Sequence, residues 1–70
     1  MVQEIFFLVR ESPEGGYEAE ALNHSIYTEA DTLEGLRSMI KDAVLCHFEA
    51  QERPNIIRLH FTREETLVLA

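Results

Sequence analysis

The side chains of this sequence that could bind a metal ion are three histidines and one cysteine, namely His24, Cys46, His47 and His60. A structural zinc site needs four ligands, which usually come in closely spaced pairs. Cys46 and His47 are neighbours in a segment with helical periodicity, so their side chains diverge by about 100°. One chain cannot easily bring all four together. The pattern therefore predicts no metal site, with His47 at the end of an apolar helical stripe and the other two histidines on the surface or in loops.

Nucleophilic catalysis by Cys46 would need an activated thiolate and a nearby base. The cysteine lies late in the predicted helix, where the helix dipole disfavours a thiolate. The Glu14-Gly15-Gly16 segment is not a phosphate-binding loop, because it lacks a lysine and precedes a strand rather than a helix. These observations predict a buried or interface cysteine, no catalytic residue, no cofactor and no enzymatic activity.

Carboxylates are the most abundant reactive groups, with 13 acidic against 6 basic residues and a formal net charge of −7. Such a surface repels phosphate backbones, so we expect no direct binding of nucleic acid. Glu18 and Glu20 share one face of a predicted strand, where a small basic protein could bind them. The alternatives are a solvated sheet face and a charge that serves solubility alone.

The elements that would position these groups begin with an apolar strand from Val2 to Arg10. Its odd-numbered residues from 5 to 9 point to one side, and Phe6 and Leu8 point to the other. Apolar residues on both sides indicate a central strand, or a strand covered by a second subunit. The following segment, Glu11–Gly16, predicts a hairpin turn, because proline sets φ and the glycines permit positive φ.

Two further strands and a helix follow the turn. Alternation predicts a strand at Tyr17–Leu22, and β-branched and aromatic residues predict another at Ser25–Thr28. Asp31 is a candidate N-cap, with Glu34 three residues later, for a helix from Thr32 to about Glu49. The apolar stripe of this helix consists of Leu33, Leu36, Ile40, Ala43, Val44 and His47.

The C-terminal third adds at least one more strand. Pro54 prevents the helix from extending further, and the alternation of Ile56–Phe61 predicts a fourth strand. Thr66–Leu69 predicts either a short fifth strand or a continuation of the fourth after a bulge, and both alternatives stay open. The combination of strands and one helix predicts the α+β class.

Several apolar side chains have no place in a core covered by one helix, because a helix covers only one face of a sheet. An uncovered apolar patch usually marks an interface, and we therefore expect self-association into a dimer or tetramer. The alternative is that residues 66–70 fold over the patch. The residues predicted to bind a partner are Phe6, Leu8, Tyr27, Glu18 and Glu20.

Length and cysteine content limit how the chain can be stabilised. We expect residues 1–70 to form one domain, and a core of this size rarely supplies more than about 3–5 kcal/mol. Cys46 is the only cysteine, so no disulfide forms within the chain, and a single free thiol fits a reducing compartment. The N-terminal segment lacks signal-peptide features, and its apolar run is too short to span a bilayer. We expect a cytoplasmic protein that binds no membrane.

Three short motifs occur in a fixed order along the chain. The turn reads Pro13-Glu14-Gly15-Gly16-Tyr17, the next strand holds Ala19-Glu20, and the helix entry reads Asp31-Thr32-Leu33-Glu34. In this order they resemble the HicB-like family of small bacterial domains, over about residues 4–50. The sequence departs from the family in two places. Asn23-His24-Ser25 stands where Pro-Gly is usual, and Gly35-Leu36 where many members have Glu-Ala.

The resemblance implies a β-β-β-α-β fold with one helix packed on an antiparallel sheet, and it implies homo-oligomers. In complete systems the HicB-like domain neutralises HicA, a small basic toxin that cleaves RNA. Complete HicB antitoxins also carry a C-terminal DNA-binding module, which these 70 residues do not contain.

Two functional hypotheses follow from the sequence. The first is a non-catalytic HicB-like domain that binds a small basic, toxin-like protein through its acidic surface. The second is a small-ligand sensor or regulatory subunit that forms a homo-oligomer with a pocket between its subunits.

Overall fold

The computed structural model describes residues 3–63 and 65–69. Its elements are β1 at Glu4–Glu11, β2 at Tyr17–Ala21, β3 at Tyr27–Ala30, α1 at Leu33–His47 and β4 at Ile56–Phe61. The predicted α+β class and the order β-β-β-α-β are therefore confirmed. Val2, the expected start of the first strand, lies outside the described residues, and Thr66–Leu69 forms no fifth strand.

The sheet has the strand order β3-β2-β1-β4 and is mixed. β2 pairs antiparallel with both β1 and β3, whereas β4 pairs parallel with β1, with Ile5 opposite Ile57 and Val9 opposite Phe61. The expected antiparallel sheet was wrong for β4, whose pairing with β1 is parallel. β3 runs in the same direction as β1, and α1 returns the chain to the end of the sheet where β3 began. The next strand must then run parallel to β1, which is the usual result of a helical crossover.

The hairpin between β1 and β2 is closed by two glycines with positive φ, +99° at Gly15 and +82° at Gly16. The N–H of Ser12 donates to the Gly16 carbonyl at 3.0 Å, and the N–H of Gly15 donates to the Ser12 carbonyl at 3.1 Å. A Cβ atom at Gly16 would lie only 2.7 Å from the carbonyl oxygen of Ala30. Glycine at this position therefore permits both the turn and the close approach of β3.

The turn between β2 and β3 explains why β3 begins at Tyr27 and not at Ser25. Asn23 adopts a φ of +68°, a left-handed conformation that asparagine tolerates better than most residues. The N–H of Ala21 then donates to the Ile26 carbonyl at 2.9 Å, so the intervening residues form the turn.

Thr32, and not Asp31, is the N-cap of α1. Its backbone is extended, and its Oγ1 accepts a hydrogen bond from the N–H of Gly35 at 3.0 Å. A Cβ atom at Gly35 would lie 3.1 Å from this oxygen, so glycine leaves room for the cap. The helix ends at His47, two residues before the expected end, because the backbone of Phe48 is extended. The N–H of Phe48 still donates to the Val44 carbonyl, as in a helix.

The core lies between α1 and one face of the sheet. The helix contributes Leu36, Ile40 and Val44 from the predicted stripe, whereas His47 is exposed. Partly buried side chains, including Leu33 and Ala43, pack around this cluster. The sheet contributes Ile5, Phe7, Val9, Ala19 and Ala21, and the connection before β3 contributes Ile26.

Candidate functional site

The face of the sheet that points away from α1, here called the outer face, carries all five residues predicted to bind a partner. Strand register places them in adjacent rows, because Leu8 is opposite Glu20 and Glu20 is opposite Tyr27. The next row along the strands holds Arg10, Glu18 and Glu29. The outer face therefore comprises Glu4, Phe6, Leu8, Arg10, Glu18, Glu20, Tyr27, Glu29, Ile56, Arg58 and His60.

A hydrogen-bonded group of charged side chains holds Glu18 at the centre of one end of this face. Arg10 donates from Nε to one oxygen of Glu18, and the hydroxyl of Tyr27 donates to the other at 3.1 Å. These bonds, that of Arg10 first and that of Tyr27 second, lower the pKa of the Glu18 carboxyl. The same bond to Glu18 is the main cause that raises the pKa of Tyr27. Glu18 is therefore held as a carboxylate.

Glu20 and Glu29 are bound less tightly than Glu18. The carboxylate of Glu20 lies 3.6 Å from Arg10 Nη2, and its side chain is 56% exposed. Glu29 accepts a hydrogen bond of 3.3 Å from the hydroxyl of Tyr27. Both carboxylates keep lone pairs that face solvent, so they are available to cationic groups of another molecule.

Apolar side chains occupy the middle of the outer face. Phe6 and Leu8 are half-buried by their neighbours on the sheet, and the rings of Phe6 and His60 meet edge to face at 5.3 Å. Leu22 extends this patch beyond β2; its N–H donates to the Phe6 carbonyl, and its side chain is exposed. Arg58 closes one side through an ion pair of 2.7 Å with Glu4. The result is an apolar centre with a charged rim.

The rim has an excess of negative charge, since four carboxylates surround the centre and only two guanidinium groups do. Each guanidinium is bound to a carboxylate of the same face, Arg10 to Glu18 and Arg58 to Glu4. The charged groups of the outer face that are left to contact a second molecule are therefore mainly carboxylates. Such a surface can bind apolar and cationic side chains together, which is the composition of a basic protein surface.

The candidate metal ligands lie in two separate places, since His24 contacts His47 and His60 contacts Phe6. In the described part of the chain, no three histidine, cysteine or acidic side chains are grouped so that they could hold a metal ion. The ring of His24 packs edge to face against two other rings. The distance between ring centroids is 5.9 Å to His47 and 5.1 Å to Phe48. Cys46 is exposed, so the expected burial within the chain was wrong; its place in an interface stays a prediction.

Six residues of the outer face were not among the residues predicted to bind a partner: Glu4, Arg10, Glu29, Ile56, Arg58 and His60. The signal for Arg10 was present, because the Glu11–Gly16 turn makes Arg10 and Glu18 partners across the hairpin. Glu29 belongs to the end of β3, which was predicted two residues too early. His60 was treated as a surface residue, and its contact with Phe6 follows only from the parallel pairing of β4 with β1.

Two further features lie outside the outer face. Ile57 and Leu59 of β4 form, with Ile40, Arg37 and Lys41 of α1, a shallow groove of about 190 Å³, here called the α1–β4 groove. Residues 65–69, here called the C-terminal arm, extend from the domain with their apolar side chains exposed. The arm does not fold over the outer face as one alternative expected; residue 70 lies outside the described residues.

No helix in the described ranges has the length and apolar character that crossing a membrane requires. Transmembrane helices need about 20 apolar residues, whereas α1 has 15 residues and an exposed polar face.

Comparison with known proteins places the chain in a family. It is 53% identical over 55 residues to a UPF0150 protein of Archaeoglobus fulgidus, an alignment that covers 79% of this chain and 82% of the relative. It is 40% identical over 67 residues to a UPF0150 protein of Thermotoga maritima, which covers 96% of this chain and 94% of the relative. No family model and no solved structure matches the chain. The identity and the coverage of these two relatives establish that the chain belongs to the UPF0150 family.

Proposed function

We propose that this chain is a non-catalytic protein-binding domain that self-associates and binds a small basic protein on its outer face. The observation that carries this proposal is the outer face itself. Phe6 and Leu8 form an apolar centre that α1 does not cover, and carboxylates such as Glu20 and Glu29 surround it. The exposed thiol of Cys46 fits a location in the cytoplasm, where it stays reduced.

The two parts of the face would contribute differently to binding. Burial of the apolar centre stabilises a complex by about 25 cal/mol for each Å² of apolar surface removed from water. The acidic rim attracts a basic protein over distances of about a Debye length, roughly 8 Å at physiological salt, and so raises the association rate. Because the arginines of the face are already paired, a partner need supply only cations and apolar groups.

The resemblance to HicB-like domains supports the same class of partner. The matching residues, Pro13–Tyr17 and Asp31–Glu34, form the hairpin turn and the helix entry of this fold. These features set the register of β2 against β1 and the position of the helix, and therefore the composition of the outer face. In this proposal the partner is a toxin-like protein whose activity the domain neutralises.

Co-expression with the protein encoded by the adjacent reading frame tests the proposal. We expect a small basic protein to co-elute in size-exclusion chromatography, and Glu20→Lys to weaken the complex at least tenfold. Glu49→Lys is the matched control, because Glu49 is exposed, follows the end of α1 and is not part of the outer face. Equal weakening by both variants would show a response to net charge alone, and the absence of any co-eluting protein would contradict the proposal.

A second candidate function, a small-ligand regulatory subunit, has one specific observation in its favour. A crevice of about 540 Å³ opens at the base of the C-terminal arm, lined by Arg10, Ser12, Arg63 and Thr66, among others. This volume is within the range of ligand pockets, and Arg63 in its lining is a cationic group that an anion would contact. A thermal-shift screen with inorganic phosphate and small carboxylates tests it. An increase in Tm that Arg63→Ala abolishes would support this function, and no increase would contradict it.

A further inference from the structure

The C-terminal arm is the least covered apolar segment in the described chain. Leu67, Val68 and Leu69 are 83%, 86% and 97% exposed. The described chain measures 56 Å along its longest axis and only 22 and 18 Å along the other two, so the arm extends well away from the core. Exposed apolar patches usually mark interaction sites, and the described chain provides no cover for these three consecutive apolar residues.

The arm is not directed back onto its own domain. Thr62 follows β4 directly, and its N–H donates to the Val9 carbonyl at 2.8 Å, which extends the pairing of β4 with β1 by one residue. Neither glycine nor proline occurs between Thr62 and Leu69, and these are the residues that favour the tight turn needed for a return. The arm therefore leads away from β4 and leaves its apolar side chains exposed.

The same domain has a free strand edge and an apolar groove that match the C-terminal arm. β4 is an edge strand, so one side of its backbone is unpaired in the described residues. α1 packs mainly over β2 and β3, which leaves Ile57 and Leu59 of β4 only half-buried in the α1–β4 groove. At its rim, Arg37 and Lys41 add the aliphatic parts of their side chains to the apolar lining. The groove is too small for a typical ligand but suits leucine side chains.

We propose that the C-terminal arm of one copy adds as an antiparallel strand to the free edge of β4 in a second copy, and that the second copy does the same in return. Leu67 and Leu69 of each arm then occupy the α1–β4 groove of the partner. This proposal deepens the self-association in the proposed function, for which it supplies the contact.

Alternation along the chain supports the choice of groove. Ile57, Leu59 and Phe61 face the helix side of the sheet, and an arm that keeps the two-residue period places Leu67 and Leu69 on that side too. Directly opposite residues of paired strands share a face, so both leucines meet the groove. Val68 then lies on the other side, in line with the outer face.

Strand lengths and symmetry are also compatible. The five residues of the arm span about 17 Å and the six of β4 about 20 Å at roughly 3.3 Å per residue. The C-terminal arm and β4 belong to the same stretch of chain. One two-fold axis therefore relates the two arm–β4 contacts and closes the dimer. The other edge strand, β3, has only four residues and would pair less of the arm. Pairing at β4 also leaves the outer face free for a basic protein.

Light scattering coupled to size-exclusion chromatography of the full chain tests the proposal. We expect a dimer or a multiple of it for the natural chain, and loss of that species for Leu67→Asp. Val68→Asp is the matched control, since it adds the same charge one residue away at a position of nearly equal exposure. It should leave the mass unchanged, and circular dichroism should show the same helix content for all three. An unchanged mass for Leu67→Asp, or equal dissociation by Val68→Asp, would overturn the proposal.

Disulfide trapping identifies the contact directly. In a Cys46→Ser background, chains with Leu67→Cys are mixed with chains carrying a cysteine at one position of β4. A cross-link should form with Ile57→Cys, Leu59→Cys or Phe61→Cys and not with Arg58→Cys or His60→Cys, whose side chains point to the outer face. Cross-linking at the even positions alone, or at none, would overturn the proposal. Both measurements use this protein alone, so their failure is distinguishable from failure to bind a basic protein.

Discussion

Neighbouring residues of β1 have similar apolar character and opposite surroundings. Phe7 lies between the sheet and α1 and is 0% exposed, whereas Phe6, one residue earlier, lies on the outer face and is half-buried. The same contrast holds for Val9 and Leu8. Both faces of β1 carry apolar residues in the sequence. They differ because α1 covers only one of them.

This contrast separates the face that stabilises the fold from the face that we propose to bind a partner. The covered face supplies the burial that holds a 70-residue domain together, and no polar side-chain atom described in the structure is buried without a partner. The outer face mixes apolar groups with carboxylates that are only partly paired, which a domain would not need for folding. Substitutions on the two faces should therefore produce different kinds of defect.

The largest expected effect is that of Phe7→Ala. Removal of a fully buried phenylalanine side chain costs about 3–5 kcal/mol of unfolding free energy, because it loses transfer energy and leaves a cavity. A domain of this size has roughly 3–5 kcal/mol in total from its core, so the variant should be largely unfolded. Far-UV circular dichroism and urea denaturation at one fixed protein concentration measure the effect.

Phe6→Ala is the matched substitution on the outer face. Because its side chain is only half-buried, we expect a loss below about 1.5 kcal/mol, together with weaker binding of a basic protein. Equal losses of stability for the two variants would show that both faces are covered alike in solution. The contrast between a covered face and an uncovered outer face would then be wrong.

A medium effect is expected for a substitution in the turn between β1 and β2, because this turn determines which residues of β2 face α1. A slip of one residue in the pairing of β1 and β2 would exchange the two faces of β2. Gly16→Ala imposes a positive φ on alanine and brings Cβ to 2.7 Å from the Ala30 carbonyl, so we expect a loss of about 1–3 kcal/mol. Urea denaturation measures the loss.

Gly15→Ala serves as the control for the turn. Its φ of +99° imposes similar backbone strain, but no atom lies within 4 Å of the added Cβ. The difference between the two variants therefore isolates the contact with β3. If Gly15→Ala were the more damaging of the two, that contact would not be what requires glycine at position 16.

Local patterns predicted more of this fold than of the site. The alternation of β1, the glycine turn and the bounds of β4 depend on residues close in sequence, and these predictions are confirmed. The parallel pairing of β4 with β1 depends on how the helix crosses the sheet, which no local pattern determines. The N-cap was placed one residue early because Asp31 and Thr32 can both accept a backbone hydrogen bond, and only the geometry selects Thr32.

The outer face was predicted in part for the same reason. Alternation alone puts Phe6, Leu8, Glu18 and Glu20 on shared strand faces, and the structure places them on one surface. The hydrogen bonds from Arg10 and Tyr27 to Glu18 join three strands, so they required the register of all three. Whether this surface binds a partner depends on a second molecule, which lies beyond any pattern within the chain.

The smallest expected effect concerns the pH dependence that Glu18 gives to the outer face. Because its pKa is lowered in the folded chain, first by Arg10 and then by Tyr27, its contribution to stability is fully present above the unfolded pKa of about 4.3. The contribution is lost as pH falls through the folded pKa. The natural chain should therefore lose slightly more stability than Glu18→Gln between pH 6 and pH 3, values chosen to bracket roughly that unfolded pKa.

Urea midpoints of the two proteins, measured across this range at low and high salt, provide the test. High salt should reduce the difference, since the group is at the surface and exposed ion pairs are screened. Glu14→Gln is the control, because Glu14 is exposed in the hairpin turn and its side chain forms no ion pair in the described residues. If Glu14→Gln changed the pH dependence as much as Glu18→Gln, the response would reflect net charge. The charged rim would then not be organised around Glu18, and the contrast between the faces would reduce to burial alone.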